Sequence, residues 1–399
     1  MIKNENLLIL LLAALQFTHI VDFMIMMPLG KQFMDLYDIN PQQFSLLVSA
    51  YAFAAFAAGL SGAMFIDRFD RRHALLVVYL GFTIGTLACA FAPSYGFLLT
   101  ARAFTGAFGG TLGALVLAVI GDIVPFQRRG AAIGKIMISF SAASIAGVPT
   151  GIYLADLYGT SAPFLVVGLL SCVFLVLSFF VIPPLRHHFQ QKDGVTVNTS
   201  PREIIRLVSS DPNQLRALLF SLVLMLGHFT IIPFIAPYMQ LNIGFTSKEV
   251  ALLYAIGGAV TVVCLPLFGR LADRFGHILI FTLASVVALF SIFAITNLPP
   301  VILPLALLTT ASFFLVASGR NVPATTLVTS VVKPENRGSF MSIRASINEA
   351  GLALSSLIAG LIVIENPDGT LGHYQYAGYF AIIMSVVAII LARKLKTVS

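Results

Sequence analysis

Over 399 residues the chain is 58% apolar, with a mean hydropathy of +0.93. Only 10% of it is charged, against about 25% in a soluble domain, which excludes a large soluble core. The net charge of +7 would suit a nucleic-acid surface. The bases, however, sit in short turns between apolar runs, which fits membrane topology and excludes a DNA-binding face.

Apolar runs long enough to cross a bilayer, at about 20 residues each, lie near 7–29, 44–66, 74–92, 97–124, 132–157 and 163–183. A second set lies near 214–241, 247–269, 278–297, 302–330, 339–363 and 377–392. The pattern predicts an all-α membrane protein of twelve transmembrane helices in two six-helix bundles, 1–183 and 214–399. The first run is too long for a signal-peptide core and no small-residue cleavage site follows it, so it reads as a retained span. The polar stretch 184–213 reads as a cytoplasmic linker. Within it, Ser200-Pro201-Arg202-Glu203 has the form of a helix start, with a serine cap, proline at the first position and glutamate at the third. A short amphipathic helix over about 201–209, lying on the membrane surface, is expected there.

The bases set the orientation. With the N-terminus inside, the loops on the inner side hold Lys3, Arg68, Arg71, Arg72, Arg128, Arg129, Arg216, Arg270, Arg274, Lys333, Arg337, Arg393 and others, whereas the outer loops hold only Lys31 and Lys248. Both termini are therefore expected in the cytoplasm, with the protein in the inner (plasma) membrane.

One turn pattern occurs twice, at about half the chain's length apart. Asp67-Arg68-Phe69-Asp70-Arg71-Arg72 follows the second run, and Gly269-Arg270-Leu271-Ala272-Asp273-Arg274-Phe275-Gly276-His277 follows the eighth. Arg129-Gly130 and Arg337-Gly338 echo each other in the same way. A chain that repeats itself like this reads as two copies of one bundle, with a ligand site between them.

These residues resemble the major facilitator superfamily, and within it the twelve-span drug and sugar efflux proton antiporters. The family's loop motif, Gly-x-Leu-Ala-Asp-Arg-x-Gly-Arg-Arg, is met at Gly269, Leu271, Ala272, Asp273, Arg274 and Gly276. In the first copy Asp67, Arg68, Arg71 and Arg72 hold, while Ala63 and Asp70 replace the two glycines. The fourth-span motif appears as Arg102 to Gly106, and the fifth-span antiporter motif as Gly147-Val148-Pro149-Thr150-Gly151. The resemblance implies two lobes that rock about a central cavity faced by spans 1 and 4. It also implies that the loop carboxylates Asp67 and Asp273 act with nearby arginines to close the cytoplasmic side. Ordinary turn chemistry is the alternative reading of those loops.

Independently of the family, Pro149 lacks the amide that the helix ladder needs, and Gly147 and Gly151 stand one turn apart. A bend with a bare face, open to a neighbouring helix, is expected. Gly106, Gly109, Gly110 and Gly113 form a second small-residue stripe.

Charges inside the spans are costly unless they are paired or line water. Asp22 lies seven residues before the outer end of the first span, and Arg102 about five residues into the fourth from the same side. At about 1.5 Å of rise per residue, the two share a depth. Asp22 is expected to carry a coupling proton and Arg102 to tune its affinity, with a fixed buried ion pair as the alternative. Glu349 and Arg320 form a second pair at equal depth, flanked by Asn321 and Asn348, and read as a structural salt bridge or a further coupling site. His19 and His228 fall near mid-membrane, as proton relays, substrate partners or satisfied polar residues.

Gln16, Phe23, Met26, Met27, Tyr51, Phe229, Tyr254 and Asn321 are candidate cavity residues or, equally, packing residues. Lys135 is expected to snorkel, and Asp122 and Asp156 to be solvated or cap-like. Cys89, Cys172 and Cys264 show no paired spacing and read as packing residues.

No nucleotide loop, metal-ligand cluster or nucleophile–base arrangement is present, so neither cofactor nor metal is expected and an enzyme is disfavoured. The expected function is proton-coupled efflux of a small organic compound, a drug or sugar-like metabolite, by alternating access in a monomer. An uptake symporter of the same fold and a non-transporting receptor or scaffold are the alternatives.

Overall fold

A computed structural model describes residues 5–65, 70–183, 185, 211–333 and 337–398. Among these, twelve helices are long and apolar enough to cross a bilayer. In chain order they are span 1 Glu5–Ile25, span 2 Pro41–Gly62, span 3 Arg71–Ala90, span 4 Tyr95–Ile123, span 5 Arg128–Tyr158 and span 6 Ser161–Val181. The second half continues with span 7 Pro212–Leu241, span 8 Ser247–Phe275, span 9 His277–Thr296, span 10 Leu303–Thr329, span 11 Phe340–Ile362 and span 12 Tyr374–Arg393. The chain is a multi-pass membrane protein. The surface helix expected over 201–209, together with Asp67 and Arg68, lies outside the described residues.

Two spans are broken, each at a proline. Span 7 consists of Pro212–Phe229 and Ile232–Leu241, with Pro233 in the first turn of the second piece. Span 5 passes from an α-helix into a π-turn, Ala143–Gly147, before resuming at Val148 with Pro149 next. A residue without an amide cannot complete the ladder behind it, and the wide turn absorbs the mismatch. The bend expected at the antiporter motif takes this form. Two further elements were not expected: a short helix, Gly30–Tyr37, between spans 1 and 2, and a two-stranded hairpin, Ile364–Glu365 with Leu371–Gly372, between spans 11 and 12.

The two bundles repeat one packing scheme. Span 4 packs on spans 2 and 3, span 3 on span 6, and span 1 on spans 5 and 6. Likewise span 10 packs on spans 8 and 9, span 9 on span 12, and span 7 on spans 11 and 12. The halves meet through spans 2 and 11 and through spans 5 and 8, two contacts related by the same exchange.

With an even number of spans, both termini lie on one face. At the far face a single apolar core joins the halves, including Met26, Phe33, Phe44 and Val148 from the first and Phe234, Tyr254, Leu352 and Tyr374 from the second. At the terminal face the core splits. Leu8, Leu12, Leu75, Leu112 and Leu115 pack only within the first half, and Phe220, Phe281, Val328 and Phe340 only within the second. Span 8 accordingly packs on residues 143–158 of span 5 and far less on 126–142. The halves are joined at the far face and parted at the terminal face.

Gly276 closes span 8 at φ 94°, ψ 138°, a region that side chains rarely adopt, and an added Cβ there would meet nothing within 4 Å. Backbone strain of about 1–3 kcal/mol is therefore the whole expected penalty of Gly276→Ala. The substitution lowers the unfolding midpoint of the detergent-solubilised protein, and an unchanged midpoint would show that the turn relaxes freely.

Candidate functional site

Span 1 presents Asp22 and span 4 presents Arg102, and the two meet as the depth count requires. The Arg102 Nη1 donates to Asp22 Oδ2 at 2.9 Å, with the two side chains 1% and 0% exposed. Thr86 of span 3 donates to the other carboxylate oxygen at 3.0 Å. The guanidinium also lies 4.5 Å from the centre of the Tyr51 ring, contributed by span 2. Burial strips several kcal/mol of hydration from each ion, so such a pair persists only when its geometry and added hydrogen bonds compensate. Here four helices supply the compensation.

Around Tyr51 lies a set of polar atoms without protein partners. The Tyr51 Oη, His19 Nδ1 and Gln16 Oε1 are buried and make no hydrogen bond. They cluster because span 4 offers glycine in front of them. A Cβ on Gly109 would stand 2.3 Å from Tyr51 Oη and 3.1 Å from the His19 ring, and one on Gly113 would stand 3.8 Å from Gln16. Phe23 leans on Tyr51 at 5.5 Å between ring centres. Leaving such groups unpaired costs about 1–3 kcal/mol each, so water or another polar partner is expected beside them.

The second half departs from expectation. Arg320 makes no ion pair with Glu349: its guanidinium donates to Ser385 Oγ at 3.0 Å and to His228 Nδ1 at 3.3 Å, and it is 2% exposed. Arginine has no acceptor, so His228 must present its lone pair and is neutral in this state. Span 7 thus gives span 10 a neutral partner where span 1 gives span 4 a charged one. Glu349 is half-buried and, among the described residues, makes no hydrogen bond or ion pair. The ion pair expected between Glu349 and Arg320 is therefore not formed. Asn348 beside it has a buried, unpartnered Oδ1, whereas Asn321 is exposed.

Of the other cavity candidates, Met26 and Met27 are 0% and 3% exposed and belong to the far-face core, and Tyr254 joins them with its hydroxyl unpartnered. Phe229 is half-buried and packs against the apolar cores. Asp122 is not solvated: it pairs with Arg71, which also donates to the Ala118 carbonyl at 3.2 Å. Asp156 is exposed, and Lys135 reaches Asn6 Oδ1 at 3.1 Å. The cysteines are unpaired. Arg344 escaped the sequence reading although it stands inside an apolar run. It is 6% exposed, and its bonds run to Ser221 and Thr325 hydroxyls at 3.2 Å. Among the described residues no cluster of side chains suits a metal ion.

The sequence model of the Major Facilitator Superfamily matches residues 12–322. The chain belongs to this superfamily. Relatives include the inner membrane transport protein YdhP of Escherichia coli (strain K12), 26% identical over 59% of this chain, and a probable sugar efflux transporter of Mannheimia succiniciproducens, 23% identical over 59%. The matches span 59% and 57% of those relatives' own lengths. Among solved structures, a bacterial homolog to the human lysosomal transporter Spinster, inward-facing and unoccupied, superposes with a TM-score of 0.82 at 15% identity, covering 98% of both chains. That likeness speaks for the fold.

The superfamily's sequence motifs occupy distinct places. At the antiporter motif, a Cβ on Gly147 would come within 2.4 Å of the Val21 side chain, and one on Gly151 within 2.3 Å of Ile25. Span 1, which carries Asp22, therefore rides directly on this bare face of span 5. In the first-half loop, Asp70 caps span 3 by accepting from the Arg72 amide at 2.9 Å, and the Arg72 guanidinium donates to the Phe179 carbonyl at 2.6 Å. In the second-half loop, Gly269 stands in open contact, Asp273 is 78% exposed with only His277 at 3.9 Å, and Arg274 lies over the Phe275 ring.

Proposed function

We propose that the protein is a proton-coupled exporter of a small organic compound that works by alternating access in the inner membrane. The observation that carries this reading is the fully buried Asp22–Arg102 pair set beside an unpartnered polar cluster inside the first bundle, in a protein whose two bundles are parted on one face only. The basic terminal face is assigned to the cytoplasm, so the molecule stands open to the inside.

Asp22 takes the coupling proton. In the ionised state it holds Arg102, and Arg102 underlies Tyr51. Protonation removes the charge that holds the guanidinium, frees it to shift against Tyr51, and so couples proton occupancy to the wall of the ligand site. Among the described residues the charged group that faces Asp22 is Arg102, and Thr86 bonds the same carboxylate. In the second half, Arg320 is held by uncharged partners, His228 and Ser385, and keeps its positive charge. Because span 1 rests on Gly147 and Gly151 of the antiporter motif, movement of Asp22's helix is transmitted to span 5 and across it to span 8. The exposed Asp273 and Arg274 engage only when the terminal face closes. Similarity to an inner membrane transport protein and to a probable sugar efflux transporter supports the location and the direction.

The test is reconstitution of the purified protein in liposomes with solute inside and acid imposed outside. Protons entering down their gradient should expel the solute. Accumulation instead would assign a symporter, and no movement of solute or proton across a broad compound set would leave only a receptor or scaffold.

A further inference from the structure

We propose that the cargo is an organic amine whose ammonium group is held by Glu349; this rests on the transporter reading above and names its substrate class. The other charges in the middle of the described spans each have a hydrogen-bond partner. Asp22 is matched by Arg102 and Thr86, and Arg320 by Ser385 and His228. Arg344 stands five residues before Glu349 on the same helix, roughly 140° around it, and spends its donors on Ser221 and Thr325 in the interior of the second half. Glu349 alone, among the charged groups in the middle of the described spans, has no partner.

Its position is between the halves. Spans 2 and 11 run antiparallel, with Ser356 donating to the Ser45 carbonyl at 3.1 Å toward the far face and Gly59 facing Ser346 toward the terminal face. That register brings Glu349 within about a turn of Tyr51 along the paired helices. An unpaired carboxylate inside a bilayer is expensive, and a mobile cation would supply the partner it lacks.

The neighbouring unpartnered atoms narrow the class. Gln16 Oε1 accepts, and the unpartnered Tyr51 Oη and His19 Nδ1 can each accept as well. The site therefore offers acceptors plus one negative charge, and its complement carries several N–H donors and one positive charge. A neutral polyol supplies donors but leaves the carboxylate uncompensated, and an acid adds repulsion. Phe23, resting against Tyr51, gives an apolar body somewhere to lie.

A matched fluorescent set tests this on the purified full-length protein in detergent at pH 7: 1-naphthylmethylamine, its N-acetyl amide, and 1-naphthylacetate. The amine should bind at least tenfold more tightly than either of the others. Glu349→Gln should weaken the amine at least tenfold, and Glu349→Asp, which keeps the charge, should recover part of the loss. Equal binding of the three, failure of the amine to bind, or indifference to Glu349→Gln overturns the proposal. Liposomes separate it from the transport reading. Amine that binds but is never moved by a pH gradient sinks transport and leaves the site. Gradient-driven movement of a neutral or acidic solute that does not depend on Glu349 sinks the amine and leaves transport.

Discussion

Asp22→Asn should abolish solute movement driven by a pH gradient, with a fall of at least a hundredfold in initial rate, while solute-for-solute exchange at equal pH persists. The amide keeps the shape and can still accept from Thr86, but it cannot exchange a proton. It also leaves Arg102 buried and uncompensated, and breaking one side of a buried pair costs about 3–5 kcal/mol. A lower unfolding midpoint is thus part of the expected result. The double variant Asp22→Asn with Arg102→Gln removes the stranded cation and should recover much of that stability without recovering proton coupling. Gradient-driven transport in either variant would show that another group carries the proton. Equal loss of exchange and of driven transport in the stabilised double variant would leave the pair a purely structural clamp.

Gly106→Ala should be the most damaging single-methyl change in the first half. A Cβ at Gly106 would stand 2.1 Å from the carbonyl oxygen of Tyr51 and 2.8 Å from its Cα. These are backbone atoms and cannot swing aside, so spans 2 and 4 must separate. Overpacking of this kind costs about 1–3 kcal/mol, and the displaced residue is the one whose ring covers Arg102. Reduced stability together with weakened ligand binding is the expected pair of outcomes, read by thermal unfolding and by equilibrium binding. Gly134→Ala serves as the control, since a Cβ there meets nothing within 4 Å, and it should behave as the parent. If the two variants prove indistinguishable, the close approach of spans 2 and 4 is not rigid.

The residues that could be read in advance were those whose chemistry leaves few options. A carboxylate and a guanidinium in lipid must find each other or water, and counting rise along two helices gave Asp22 and Arg102 a common depth. The same count failed for Arg320 and Glu349, because depth says nothing about rotation about the helix axis. That rotation is fixed by packing between helices, which places His228 and Ser385 around Arg320 and turns Glu349 toward span 2. Met26 illustrates the opposite limit: a flexible apolar side chain is equally at home in a cavity wall or a core, and only the assembled far face decides. Thr86 carries no signal in sequence, since a threonine in a span usually bonds its own helix. Arg344 did carry one, as a base inside an apolar run, and the rule that found Arg102 applies to it unchanged. The bend at Pro149 was legible, but not its form as a π-turn, which depends on how the preceding residues share the missing bond.

The joined far face has an energetic consequence. On the proposed cycle, turning outward peels Phe44 from Phe234 and opens apolar surface that is now dry, at about 25 cal/mol for each Å² wetted. On the opposite side it would gain mainly contacts among hydrated charges, which are weak in water. Unloaded carriers should therefore rest facing inward, and the return stroke rather than cargo release should set the turnover rate.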